Sequence, residues 1–274
     1  MISQASQFVG TIPENYDQGL GPHIFHDYAQ NLVDRATKAC SHLTTGSVLE
    51  IASGTGIVTR KLRNALPPDI NMVASDLNPP MLKVAQSKFS ADEKVTFKPA
   101  DAMALPFGDA EFDLLLCQFG VMFFPDKIQA FREAARVLKS DGRYIFNVWG
   151  TMEDNPFSAL THAAVENYFR NDPPGFYKVP FSYTNQGQVM FELEAGGFKD
   201  IKCETIRLDK HVSDWALFAR GLVYGNPLID EIKSRGGVDP DVIMQSILDA
   251  LHGAFGPEPG SMPLLANVYS GSVA

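Results

Sequence analysis

Four polar side chains stand at the ends of short apolar runs. Glu50 lies near the end of such a run, Asp76 and Gln118 are the last residues of two others, and Asp101 follows a fourth. A carboxylate in this position can accept hydrogen bonds from both hydroxyls of a ribose, or from the exocyclic amine of an adenine. Because the carboxyl ends of parallel strands meet in one crevice, we expect the four side chains to surround a common ligand.

Each of these side chains also has a purely structural interpretation. Asp76 could cap a helix ahead of 78–80, Asp101 could close a turn, and Gln118 could be an exposed strand end. The hypothesis of a ligand depends on their convergence. Acidic groups without a basic partner suit a cationic ligand that carries a ribose and an adenine, and S-adenosylmethionine has these properties.

Gly54 and Gly56 lie between the first predicted strand and the first predicted helix. Glycine lets the backbone approach a ligand closely, although a tight turn alone would also use it. The Lys-Ser or Lys-Thr of a phosphate-binding P-loop is missing, and Thr59 occupies the third glycine position of the dinucleotide fingerprint. A helix N-terminus still favours a phosphate group, so a dinucleotide stays an alternative.

Alternating strands and helices must position these residues. Apolar runs and helical spacing predict strands at 47–52, 70–76, 95–98, 112–118 and 142–149, with helices at 25–43, 57–66, 80–89 and 128–138. Further on, the pattern predicts helices at 156–170, 188–195 and within 212–255, and strands at 200–208 and 264–273. This alternation is typical of a doubly wound parallel sheet.

The composition excludes several classes of function. Lys and Arg number 23 against 32 Asp and Glu, for a net charge of −9, which argues against nucleic acid as the main partner. Three cysteines lie far apart, which predicts neither a metal site nor disulfides and fits a reducing compartment. The segment 1–10 lacks the features of a signal peptide, and the longest apolar run, 114–124, is too short to span a bilayer. We therefore predict a cytoplasmic protein without a membrane or nucleic-acid partner.

Four motifs carry a resemblance to a known family: VLEIASGTG (48–56), SDLNPPML (75–82), PADAMALPFGDAEFDLLLC (99–117) and AFREAARVLKSDGRYIFNVWG (130–150). With them the chain resembles the class I S-adenosylmethionine-dependent methyltransferases, in the type 11 group similar to ubiquinone-biosynthesis methyltransferases. The resemblance implies an α/β, doubly wound, Rossmann-like sheet of seven strands. The sheet is expected to be mostly parallel, with the last strand antiparallel and helical additions after strands 5 and 6.

The resemblance also implies one methyltransferase domain over residues 1–274. Its core would comprise 45–150, 191–210 and 262–274, with a cofactor lid at 1–44 and substrate-cap segments at 151–190 and 211–261.

The family's motifs imply roles for individual positions. Glu50 and Gln118 would lie near the methionine end of S-adenosylmethionine, Asp76 would hold the ribose, and Asp101 would meet the adenine. The complete set of implied cofactor-binding residues is Tyr16, Glu50, Ala52, Ser53, Gly54, Thr55, Gly56, Asp76, Leu77, Met81, Asp101, Ala102, Met103, Gln118 and Phe119.

The sequence departs from the family's pattern at two places. The family usually has glycine where Ala52 stands, and many relatives have a histidine near 122–123, where this chain has none. The stretch 78–81 (NPPM) is similar to the NPPY motif of amino-methyltransferases, but it follows the second predicted strand and ends in Met81. We interpret it as a strand-to-helix turn.

These observations predict in-line methyl transfer from S-adenosylmethionine to a small organic acceptor, apolar or aromatic. The alternatives are an NAD(P)-dependent oxidoreductase and a non-catalytic S-adenosylmethionine-binding protein. His23 and His162 are the candidates for a general base. Aromatic residues of the two cap segments form either an apolar acceptor pocket or helix packing: Phe157, Tyr168, Phe169, Phe176, Tyr177, Phe181, Tyr183, Trp215, Phe218 and Tyr224.

Overall fold

A computed structural model describes residues 4–273; the first three residues of the predicted lid and Ala274 lie outside the described residues. The strands are β1 (Gly46–Glu50), β2 (Ile70–Asp76), β3 (Val95–Pro99), β4 (Phe112–Gln118), β5 (Leu138–Trp149), β6 (Phe198–Val212) and β7 (Gly260–Val273). They form one seven-stranded sheet in the order β3-β2-β1-β4-β5-β7-β6. Only β7 runs antiparallel to its neighbours, β5 and β6, so the predicted fold class is confirmed.

Ten α-helices of the described chain connect and cover these strands. They are α1 (Ile12–Asn15), α2 (His26–Ala39), α3 (Ile57–Ala65), α4 (Pro79–Gln86), α5 (Lys127–Val137), α6 (Pro156–Glu166), α7 (Gln186–Ala195), α8 (Trp215–Tyr224), α9 (Leu228–Arg235) and α10 (Pro240–Phe255). Proline at its first two positions starts α4, where the missing N–H groups cost nothing. The turn interpretation of 78–81 is therefore confirmed.

The central strands form the core. Leu114, Leu115 and Leu116 of β4 are completely buried, as expected for a strand with neighbours on both edges and helices above and below. No helix within residues 4–273 combines the length and the apolar character needed to cross a bilayer.

The N-terminal segment holds structure that the sequence pattern did not predict. A π-helical segment, Tyr16–Phe25, follows α1 and leads into α2. Gly19, Gly21 and Pro22 are poor helix formers, so local propensity argues against a helix here. Tertiary packing decides instead, because a Cβ built on Gly19 would lie only 2.6 Å from the Cα of Gly221 in α8. Two glycines thus allow the π-helical segment to lie directly on α8.

Candidate active site

The carboxyl ends of β1, β2, β4 and β5 border a cavity of about 310 Å³. Most of the predicted cofactor-binding residues line it: Tyr16, Ala52, Gly54, Asp76, Leu77, Met81, Asp101, Ala102, Met103, Gln118 and Phe119. Glu50, Ser53, Thr55 and Gly56 do not. The expected convergence of strand ends is therefore present for Asp76, Asp101 and Gln118, and absent for the Glu50 side chain.

The loop between β1 and α3 turns sharply in left-handed backbone conformations. Ala52, Gly54 and Gly56 have φ values of 51°, 55° and 79°. A Cβ on Gly56 would lie 2.9 Å from the Cβ of Ala85, so this glycine allows α4 to pack closely and does not contact the cavity. Alanine at position 52 tolerates the left-handed conformation at a cost of about 1–2 kcal/mol.

Asp76 organises the rim of the cavity. Its Oδ2 accepts a hydrogen bond from the backbone N–H of Gly54 at 2.9 Å, and its Oδ1 accepts one from the N–H of Asn78 at 2.8 Å. The carboxylate is almost completely buried, and this desolvation raises its pKa. Asp76 therefore joins the glycine loop to the β2–α4 turn and also lines the cavity, whereas the N-cap of α4 is Asn78 and not Asp76.

Asp101 also both stabilises a turn and lines the cavity. Its Oδ1 accepts a hydrogen bond from the N–H of Met103 at 2.9 Å, which closes a turn after β3. Because Asp101, Ala102 and Met103 all line the cavity, this turn forms part of its wall.

Glu50 lies behind the glycine loop. The hydroxyl of Thr59 donates a hydrogen bond of 2.6 Å to its Oε2, and only 2% of the residue is exposed. Burial raises the pKa of Glu50 to about 8. Thr59, which occupies the third glycine position of the dinucleotide fingerprint, is thus the hydrogen-bond partner of Glu50. The spacing of the motif could not predict this contact.

The β4 end presents an amide and a strained aromatic residue. The Gln118 Oε1 is buried and has no hydrogen-bond partner among the described residues. Phe119 has a φ of 50°, and its N–H donates to the Oδ1 of Asn147 at 2.9 Å. Its ring stacks on Trp149 with centroids 3.9 Å apart and planes at 6°. Such a conformation costs about 1–3 kcal/mol and is enriched at functional sites.

The N-terminal segment covers the cavity and is fastened to the core. Asp17 accepts a hydrogen bond of 2.6 Å from the Thr55 hydroxyl and forms an ion pair with Lys88. The N–H of Phe8 donates to the Oδ1 of Asn78 at 3.1 Å. Tyr16 lines the cavity, and burial together with the nearby Asp76 raises its pKa, so its hydroxyl stays protonated.

Neither predicted base candidate lines the cavity. His23 is buried on the π-helical segment, where its Nδ1–H donates to the carbonyl of Gly19 at 2.6 Å and its ring packs on Phe218. Burial lowers its pKa. His162 pairs with Glu166 one turn further along α6, at 3.1 Å. His23 thus contacts its own segment and α8, and His162 pairs within α6, so the sequence pattern gave the position of each histidine but not its contacts.

Sequence reasoning missed much of the wall opposite the glycine loop. Of the predicted cap aromatics, Phe157, Phe176, Tyr177 and Phe181 line the cavity, whereas the other six do not. The missed residues come mainly from the lid, the β4–α5 loop and the cap: Phe8, Leu20, Ile24, Phe25, Met122, Phe123, Phe124, Trp149, Pro180, Leu222 and Asn226. The aromatic cluster in 119–124 was an available signal for part of this set.

The charges of the cavity wall have one sign. Asp76 and Asp101 line the cavity, and no Lys, Arg or His among residues 4–273 does. Within the same residues, no cluster of His, Cys, Asp or Glu could hold a metal ion. The wall is thus acidic where the strands end and aromatic on the other side, a combination that suits a cationic ligand beside an apolar one.

Comparisons with known proteins agree with this geometry. The family described as "Methyltransferase domain" matches residues 49–146. The ubiquinone/menaquinone biosynthesis C-methyltransferase UbiE of Pseudomonas paraeruginosa is 36% identical over 175 residues, which cover 57% of this chain and 67% of the relative. The demethylmenaquinone methyltransferase of Deinococcus radiodurans is 34% identical over 140 residues, which cover 51% and 56%.

Solved structures show the same fold. A phosphoethanolamine N-methyltransferase 2 of Haemonchus contortus, in complex with S-adenosyl-L-methionine, aligns with a TM-score of 0.61 at 17% identity, covering 100% of this chain and 60% of that chain. Matches to several curated relatives span only about half of their length, between 41% and 56%. The Pseudomonas protein, in contrast, is covered over two thirds of its length at 36% identity. The chain belongs to the class I S-adenosylmethionine-dependent methyltransferases.

Proposed function

We propose that this protein transfers a methyl group from S-adenosylmethionine to a small, neutral and largely apolar organic acceptor. One observation carries the proposal: the acidic strand ends and the aromatic cap face the same cavity, and no cationic side chain of the described residues lines it. The acidic wall suits a cationic donor. The lack of a cation disfavours acceptors with a phosphate or carboxylate, since a buried anion needs a partner.

The residues present fit the donor. Asp76 and Asp101 would hold the ribose and the adenine, and the loop around Gly54 leaves room for close backbone approach. The buried and unpartnered Oε1 of Gln118 could accept a hydrogen bond from a ligand's ammonium. When bound, S-adenosylmethionine supplies a methyl group on a sulfonium, which a nucleophilic atom of the acceptor displaces in line.

The side chains of the cavity orient and desolvate rather than abstract protons. Tyr16 and Tyr177 are the tyrosines of the wall, and burial raises the pKa of both, so neither hydroxyl is a base near neutral pH. Asp76 and Asp101 already accept hydrogen bonds from backbone N–H groups. Alignment of two reactants can contribute about 7–11 kcal/mol. An acceptor atom with an available lone pair needs no base, whereas a ring carbon would donate its π electrons to the methyl group and then release its proton to solvent.

The aromatic wall would exclude water from the reacting atoms. Phe119 stacks on Trp149, and the Trp149 ring also packs at 74° on Phe157 and at 30° on Phe181. The names of the relatives refer to ubiquinone, menaquinone and demethylmenaquinone, so demethylmenaquinone is a reasonable first acceptor to test. A cytoplasmic location, and the lack of nucleic-acid and membrane partners, belong to the same proposal.

The test has two parts. Calorimetric titration should show binding of S-adenosylmethionine, with NADH as the control ligand that should not bind. Incubation with methyl-labelled S-adenosylmethionine, demethylmenaquinone and fractionated small-molecule extract should then place label in a small organic product. Binding without any labelled product would favour the non-catalytic alternative, and label only in protein or RNA would contradict the acceptor class.

A further inference from the structure

A polar group interrupts the apolar side of the cavity. Tyr177 lies in a short 3₁₀ turn, Phe176–Lys178, and Asn226 lies between α8 and α9. Both residues line the cavity together with Leu222, and both are buried. They come from the two cap segments, whereas Asp76 and Asp101 come from the sheet. The polar group therefore lies on the acceptor side rather than on the donor side.

The hydrogen bonds of this group are well defined. The hydroxyl of Tyr177 donates to the Leu222 carbonyl at 3.0 Å, and the Asn226 Nδ2 donates to the same carbonyl at 3.0 Å and to the Tyr177 oxygen at 3.4 Å. The Oδ1 of Asn226 accepts from the N–H of Leu228 at 3.0 Å. These contacts fix the orientation of both side chains.

The pair Tyr177 and Asn226 can still accept hydrogen bonds from a ligand, but its donor hydrogens are already used. The single proton of the Tyr177 hydroxyl is committed to Leu222, and both N–H bonds of the Asn226 amide are in use. Thr161 also lies within hydrogen-bonding reach of the Tyr177 hydroxyl, but its own proton goes to the carbonyl of Phe157 at 2.7 Å. A hydroxyl oxygen has two lone pairs, so Tyr177 can accept a further hydrogen bond.

We propose that Tyr177 is a specificity-determining residue that accepts a hydrogen bond from an O–H or N–H group of a planar, neutral acceptor, with Asn226 as its positioning residue. This inference rests on the proposed function, since it concerns the acceptor side of the same cavity. A site that pairs with a donor group discriminates against analogues that lack it, because the buried acceptor is then left unpaired.

Indole and 1-methylindole are suitable probes, since they differ only in the N–H group and its methyl replacement. Each is titrated calorimetrically into the free protein and into the protein saturated with S-adenosylhomocysteine. The wild type should bind indole about 2- to 12-fold more tightly, the range expected for one neutral hydrogen bond. In Tyr177→Phe the preference for indole should be lost, while Leu222 keeps its hydrogen bond from Asn226.

Tyr183→Phe is the matched control. Tyr183 is buried and bonded to Glu192 but does not line the cavity, so this variant should keep the preference for indole. An unchanged preference in Tyr177→Phe would overturn the proposal. Equal binding of the probes to the wild type, or no binding of either, would overturn it even if the variant failed to fold. Titration with S-adenosylmethionine reports separately on the proposed function, because Tyr177→Phe should leave donor affinity unchanged.

Discussion

The substitution Asp76→Ala tests whether the carboxylate at the end of β2 binds the donor or only organises the loop. Asp76 accepts hydrogen bonds from the N–H groups of Gly54 and Asn78 and also lines the cavity. Its removal eliminates one of the two negative charges of the cavity wall. We therefore expect weaker binding of S-adenosylmethionine together with some loss of stability.

The size of the effect follows from the kind of interaction. A hydrogen bond to a charged group contributes about 1.5–3 kcal/mol, so the dissociation constant for S-adenosylmethionine should rise about 10- to 150-fold. The effect on folding has two opposing parts. Two backbone N–H groups lose their acceptor, but a carboxylate whose pKa is raised by burial no longer has to be desolvated. The change in stability should therefore be smaller than the change in binding.

Asp113→Ala provides a matched control at the opposite end of the sheet. Asp113 also accepts a hydrogen bond from a backbone N–H, that of Ser47 at 2.9 Å, and pairs with Lys139 at 2.8 Å. It does not line the cavity. Calorimetric titration and thermal unfolding of both variants separate the two contributions, because Asp113→Ala should lower stability without changing the affinity for S-adenosylmethionine.

Two results would refute this reasoning. Wild-type affinity in Asp76→Ala would remove the carboxylate from the donor site and leave it as a turn residue. An equal loss of affinity in both variants would show that binding follows global stability and not the charge at the cavity wall.

Two further predictions concern the surroundings of the glycine loop. Burial raises the pKa of Glu50 to about 8 from an ordinary 4.5. The protonated side chain therefore contributes fully to the unfolding free energy of the wild type below pH 4.5. This contribution is lost as the pH rises towards 8, by up to about 1.4 kcal/mol per pH unit. Glu50→Gln has no carboxyl group to ionise, so its melting temperature should rise relative to that of the wild type between pH 5 and pH 8.5. A difference between the two melting temperatures that stays constant with pH would contradict the burial argument. Asp17→Asn weakens the contacts with Thr55 and Lys88, and should raise the dissociation rate of S-adenosylmethionine about 2- to 5-fold in stopped-flow experiments. Asp69→Asn, which removes an exposed pair with Lys94, should leave that rate unchanged.

The part of the site built by the sheet could be predicted because its determinants are local. A buried strand followed by a glycine-containing turn and an amphipathic helix specifies where Gly54 lies. The same alternation places Asp76, Asp101 and Gln118 at or just after the carboxyl ends of β2, β3 and β4, which lie on both sides of β1. The parallel arrangement then brings these positions together without any further information. Periodicity and turn chemistry suffice for this half of the cavity.

Glu50 shows where this reasoning stops. Its position at the end of β1 resembles that of Asp76, yet its side chain bonds to Thr59 on α3 instead of lining the cavity. The strand register accounts for the difference: Glu50 pairs with Ala74 and with Leu116, so it lies two residues before Asp76 and Gln118 and deeper in the sheet. Spacing along the sequence predicted proximity to the loop but not the direction of the side chain.

The proposed acceptor half of the cavity is assembled from distant segments, and this is why the sequence did not define it. Phe8 and Phe25 belong to the N-terminal segment, Trp149 ends β5, and Tyr177 and Asn226 belong to separate cap segments. Which aromatic residue of a helix faces the cavity depends on how that helix rotates against its neighbours. The direct contact between Gly19 and Gly221 shows how closely two such segments can be matched.

The two halves therefore differ in how substitutions should act on them. The donor half is connected through backbone hydrogen bonds of the glycine loop, so changes there affect folding and binding together. The acceptor half uses side chains on the lid and cap, and a substitution such as Tyr177→Phe removes one polar atom while the ring continues to pack on Phe176. If the cap binds the acceptor as proposed, single substitutions there should change acceptor preference without loss of the donor site, and the motifs of the core then identify the family without identifying the acceptor.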